Sequence, residues 1–178
     1  MSDEGASPQE VLIAACRSNN TSLLHEVLSN LPASISLADF LNETRDPLGN
    51  TPLHLTATYS SVECLDILLD QEGLEVDPIT RIEAETPLHL AAKNLSKPDE
   101  RQDAISCMEL LVDAGADPRI KNKHNEKAAD YVPDELEEVR WLLQKAEVSY
   151  TMSNVNGADV VSEDEGGAGG YGSASDDE

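Results

Sequence analysis

The tetrapeptide Thr-Pro-Leu-His occurs twice, at Thr51–His54 and again 35 residues later at Thr86–His89. A motif repeated at such a distance narrows the possible folds more than any other feature, because one structural unit is being used more than once. The motif itself reads as a helix start. Thr at an N-cap accepts a backbone N–H that the first turn leaves unpaired, and Pro at the next position has its φ preset and no N–H to lose. After each copy comes an apolar stripe spaced i, i+3, i+6, i+7. It is Val62, Leu65, Leu68, Leu69 in one case and Ile105, Met108, Leu111, Val112 in the other. That spacing lays one face along a helix. The stripe recurs at Leu136, Val139, Leu142, Leu143 and, more weakly, at Thr21, Leu24, Val27, Leu28. Gly49 supplies a flexible turn before the helix start in one copy; Ala84 takes that place in the second and Asn125, tolerant of left-handed geometry, in the last.

The stretch DPLGNTPLHLTA (Asp46–Ala57), with a Leu-rich helix after it and Gly-Ala-Asp at Gly115–Asp117, resembles the ankyrin repeat. The segments RDPLGNTPLH, LLDQEGLEVDP and GADPRIKNK, with the acidic C-terminus, are similar to small fungal ankyrin-repeat proteins. The resemblance implies an all-α solenoid of about four helix-turn-helix repeats, two good interior copies between degenerate end caps. Turn "fingers" would project along one edge. The approximate repeats are 9–45, 46–77, 78–117 and 118–147, within a domain spanning 8–147. The first copy lacks the tetrapeptide, and the fourth has Lys127-Ala128-Ala129-Asp130 in its place. Terminal repeats cover the ends of a stack and need not carry the interior motif. Leu95–Gln102 reads as a loop inserted between the two helices of the third copy, and a short helix is expected around Leu37–Leu41.

Composition limits what such a chain binds. Net charge is −23 with 12 Lys and Arg. That disfavours nucleic acid and an anionic membrane surface, which need basic contacts. No apolar run approaches the ~20 residues of a membrane span. Cys16, Cys64 and Cys107 lie far apart, which argues against a disulfide framework or a zinc site. The expected setting is intracellular, cytoplasmic and/or nuclear. Residues 1–7 and 148–178 read as disordered. Thr151–Glu178 holds seven acids and six glycines with no Lys or Arg, too little apolar surface to offset ordering. Ser162, Ser173 and Ser175 there have an acid three residues on, a pattern that suits acidophilic phosphorylation.

Little suggests chemistry, and no cofactor or metal is expected. The resemblance makes His54 and His89, with Thr51, Pro52, Thr86 and Pro87, parts of the motif that locks turn to helix. His25 and His124 have no obvious partner. The cysteines read as buried filler and Trp141 as core. Arg119, Lys121, Lys123 and Lys127, with His124, read as a solvated end of the stack, a docking patch for an acidic peptide being the alternative.

The resemblance implies a non-enzymatic, monomeric module that binds a protein through its concave finger and inner-helix surface. Its contacts would be Pro47, Leu48, Asn50, Thr58 and Tyr59 in the second copy, and Ile82, Glu83, Glu85, Lys93 and Asn94 in the third. The fourth would add Lys123, His124 and Glu126. Leu48, Tyr59 and Ile82 are the expected anchors. Two other readings are open: an escort for a basic client such as a ribosomal protein or histone, and a regulator that masks a transcription factor.

Overall fold

The structure is a computed structural model describing residues 5–166, with side chains placed for residues 5–155. Helices run in antiparallel pairs. The first pair is α1 (Pro8–Ser18) with α2 (Thr21–Ser29), followed by the short α3 (Leu37–Glu43). Next come α4 (Pro52–Thr58) with α5 (Val62–Leu69), then α6 (Pro87–Asn94) with α7 (Arg101–Asp113). The last pair is a single 3₁₀ turn, Ala128–Tyr131, with α8 (Glu137–Gly166). The first members stack as an inner row (α1, α4, α6 and the 3₁₀ turn), and α2, α5, α7 and α8 form the outer row.

The repeated stripe explains the stacking. Its second position is buried in all four copies, as Leu24, Leu65, Met108 and Val139. A buried aliphatic side chain stabilises by about 1.5–3 kcal/mol, and all four belong to one continuous core that runs through the repeats. Thr51 and Thr86 cap α4 and α6 as their sequence suggests, with Pro at the first turn of each. Gly49, Ala84 and Asn125 all take positive φ (+89°, +55° and +66°). The three cysteines are buried. Burial pushes the Cys64 thiol up to about 11 and that of Cys107 to about 12, so both stay protonated packing groups.

Four details differ from the sequence reading. The insertion is shorter, since α7 begins at Arg101. The fourth repeat has one 3₁₀ turn where its siblings have an inner helix. Trp141 is 62% exposed, because among the described residues no further repeat covers the position that Ile67 and Leu110 fill in earlier copies. Finally, α8 runs past Glu147 to Gly166, with no proline to break its ladder. Thr151 and Ser153 each donate a hydroxyl back along it, to the carbonyls of Glu147 and Ser149. Ser162 therefore lies within that helix, while Ser173, Ser175 and the rest of 167–178 lie outside the described residues, as do residues 1–4.

Candidate partner-binding surface

Three fingers rise at the edge of the inner row, each closed by a backbone bond across its base. In the first, Asp46 N–H donates to the Asn50 carbonyl at 2.9 Å. Asp46 Oδ1 accepts from the N–H groups of Leu48 and Asn50 at 2.9 and 2.8 Å. Asn122 does the same in the third finger, accepting from His124 and Glu126 at 2.9 and 3.0 Å. The second finger is one residue longer. Thr80 N–H donates to the Glu85 carbonyl at 2.9 Å, and Thr80 Oγ1 accepts from Glu85 N–H at 3.0 Å. Short polar side chains that bond their own turn in this way hold a loop in one shape.

The two motif histidines link one repeat to the next. His54 Nε2–H donates to the Glu85 carbonyl at 2.9 Å, so Nδ1 accepts, from Thr51 N–H at 3.1 Å. His89 repeats the arrangement, with Glu126 at 3.0 Å and Thr86 N–H at 3.2 Å. Each ring thus holds its own helix start and the base of the following finger. Burial pushes both imidazoles below the ordinary histidine range, although the carbonyls they meet favour the charged form. They are neutral structural groups, fully committed to backbone partners.

Apolar side chains stand out at the finger tips. Leu48 is 64% exposed and Ile82 62%; beside them Ile79, just before the base of the second finger, is 56% exposed and Tyr59, at the end of α4, 50%. Pro47 and Thr58 are exposed beside them, and Asn50 is half-buried. The model of the ankyrin-repeat family, comprising three copies, matches residues 11–122. The chain belongs to the ankyrin-repeat family. It is 43% identical over 162 residues to the ankyrin repeat-containing protein YGL242C of Saccharomyces cerevisiae, covering 88% of this chain and 87% of that protein. It is also 35% identical over 127 residues to zinc finger CCCH domain-containing protein 67 of Oryza sativa subsp. japonica, 68% of this chain but 19% of that protein. Ankyrin repeats are protein-interaction modules. Among the described residues no helix is long and apolar enough to cross a membrane.

The ankyrin scaffold divides the expected contact residues into two groups. Glu85 and Asn94 are buried and serve the fold. Glu85 pairs with Lys93, and Asn94 Nδ2 donates to the carbonyls of Ala57 and Thr58 at 3.0 and 2.8 Å, tying off the end of α4. Neither presents its side chain to a partner. Glu83 joins the second finger to the third, meeting Lys123 Nζ at 2.8 Å and His124 Nε2 at 2.9 Å. Glu126 accepts from Tyr131 and Asn122. The basic run is likewise matched within the protein. Arg119 meets Asp117 at 2.9 Å and Lys127 meets Glu147 at 2.6 Å, while Lys121 has no ion-pair partner among the described residues. Sequence reading missed Thr80, Ile79 and Arg81. The one-residue offset of the second finger hides Thr80 from alignment with Asp46. The alternation of buried Pro78 and Thr80 with exposed Ile79 and Arg81 is the pattern that would have found the rest.

Proposed function

We propose that the chain is a non-enzymatic adaptor holding a protein partner on its fingers and inner helices, with Leu48, Ile82 and Tyr59 as anchors. The observation that carries this is the pair Leu48 and Ile82, large apolar side chains projecting from neighbouring finger tips. The turns beneath them are already fixed by hydrogen bonds. A rigid loop loses little entropy on binding, and a few central apolar residues supply most interface energy. Pro47, Asn50, Thr58 and Lys93 would line the contact, with Lys123, His124, Glu83 and Glu126 at its rim.

The test is affinity purification with mass spectrometry, using full-length protein, L48A/I82A and a truncation after Tyr150. A partner held by the full chain and the truncation but lost from L48A/I82A would support the reading. A partner retained by L48A/I82A would place the contact elsewhere. The net charge of −23 favours a second reading, escort of a basic client. That reading predicts loss at high salt and on truncation instead.

A further inference from the structure

Charge is sorted by the fold. All the Lys and Arg residues except Lys97, Arg101, Arg140 and Lys145 lie on or beside the fingers or on the inner row. The outer helices α2 and α5 have none, and carry Glu26, Glu63 and Asp66. The finger side is therefore not the acidic surface that the overall charge suggests. The four carboxylates within the fingers themselves are also already taken. Asp46 is buried and meets Arg17 at 3.2 Å, Glu85 is paired with Lys93, and Glu83 and Glu126 have the partners given above.

Two guanidinium groups on the same side form no ion pair among the described residues: those of Arg45 and Arg81. Both are placed by the fold. Arg45 donates to the carbonyls of Asn42 and Thr44 at the end of α3, which fixes it at the root of the first finger. Arg81 leaves the second finger and crosses onto Gly49 of the first. A Cβ added to Gly49 would lie 3.3 Å from Arg81 Cβ and 3.6 Å from Nε. Arg81 neighbours Ile82 in sequence and Gly49 neighbours Leu48, so the crossing brings a free guanidinium to the two exposed apolar tips.

We infer that the finger surface recognises an acidic segment of its partner, a stretch of polypeptide in which carboxylates alternate with apolar side chains. The apolar groups would lie on Leu48, Ile79 and Ile82, and the carboxylates would take the free donors of Arg45 and Arg81. This rests on the proposed function and names the partner's chemistry. Guanidinium suits the task because its fork bonds a carboxylate through two parallel N–H groups. Selectivity follows from the rest of the molecule. The acidic outer row repels a bare polyanion, so charge alone is not enough and the apolar contacts must contribute.

The test selects binders from a displayed library of random peptides on full-length protein, R45E/R81E, R45Q/R81Q and L48A/I82A. Circular dichroism verifies that each variant is folded. The expected pool from the wild type is net negative and rich in apolar residues. Its affinity should fall at least about tenfold on R45E/R81E, and less on R45Q/R81Q. A neutral or basic pool, a pool indifferent to R45E/R81E, or no pool at all overturns the inference. A basic pool lost on L48A/I82A would leave the fingers as the binding surface and remove only the acidic partner. A pool indifferent to L48A/I82A would remove both. A further arm replaces the acids from Asp159 to Glu178 by their amides. Acidic peptides captured only by that chain would make its own C-terminal segment the occupant, overturning a separate partner.

Discussion

Replacing His54 by Asn and, separately, by Leu separates its two roles. In the native ring, Nδ1 accepts from Thr51 N–H at 3.1 Å and Nε2–H donates to the Glu85 carbonyl at 2.9 Å. An Asn amide oxygen can occupy the Nδ1 position, so H54N keeps the helix cap and deserts only Glu85. Leu has a similar volume and no polar atom, so H54L deserts both groups. The site is fully buried, away from bulk water. A buried group left unpaired costs about 1–3 kcal/mol, which gives ~1–3 for H54N and ~2–6 for H54L. At roughly 2–4 °C per kcal/mol for a chain of this size, H54N should melt ~2–12 °C below the wild type. The stability of a repeat stack is approximately a sum of units and interfaces, and H54N weakens one interface, between the second and third repeats. Urea unfolding followed by circular dichroism gives the free energies. Hydrogen exchange should show the second finger opening sooner in H54N, with α1 and α2 unaffected. The reasoning fails if H54L stays within ~1 kcal/mol of the wild type, or if H54N costs as much as H54L.

Further outcomes are expected from the turns and from the buried titratable groups. Gly49→Ala puts a side chain at φ +89° against Arg81 and should destabilise by ~1–2 kcal/mol, while Ala84→Gly relieves φ +55° and should stabilise by ~0.5–1 kcal/mol, both read from urea midpoints. The pH dependence contains opposing slopes. His54 and His89 have depressed values, so the folded state resists protonation and stability falls as pH drops below their ordinary value of 6.5. Asp77 has the opposite sign. Burial chiefly pushes it up to about 6 from 3.8, so its charged form costs stability at neutral pH and acidification through that window relieves the cost. Its Oδ2 accepts from Asp117 N–H at 2.9 Å, and its Oδ1 has no partner. Asp77→Asn should therefore stabilise at about pH 7.5 by ~1–2 kcal/mol and lose more on acidification to about pH 5 than the wild type does. An unchanged slope would refute the assignment.

Much of the scaffold was legible because each of its devices is local. Thr51 caps the three residues that follow it, and Ala84 occupies its turn whatever surrounds it. The exposed tips Leu48 and Ile82 could be read in the same way, since a finger tip has few neighbours. Glu85 and Asn94 could not. They sit at positions expected from the resemblance to carry contacts, whereas in the structure Glu85 is buried against Lys93 and Asn122, and Asn94 against the α4 terminus. Trp141 was misread for the converse reason. Its position, next to the stripe, is partly covered as Ile67 and Leu110 in the interior repeats and bare in the last described repeat.

The sequence by itself determined the unit: where each helix starts, which face it buries, and that the unit repeats. These follow from backbone and side-chain preferences over a few neighbouring residues, which the chain carries wherever it goes. Only the tertiary structure decided which charges are used up inside the protein. Glu83 reaches Lys123 and His124 across two fingers, and Arg81 crosses to Gly49, while Arg45 and Arg81 stay without a carboxylate among the described residues. A composition of −23 is blind to that distribution. Charges interact through space over a few ångströms, and the stacking of one repeat on the next sets those distances.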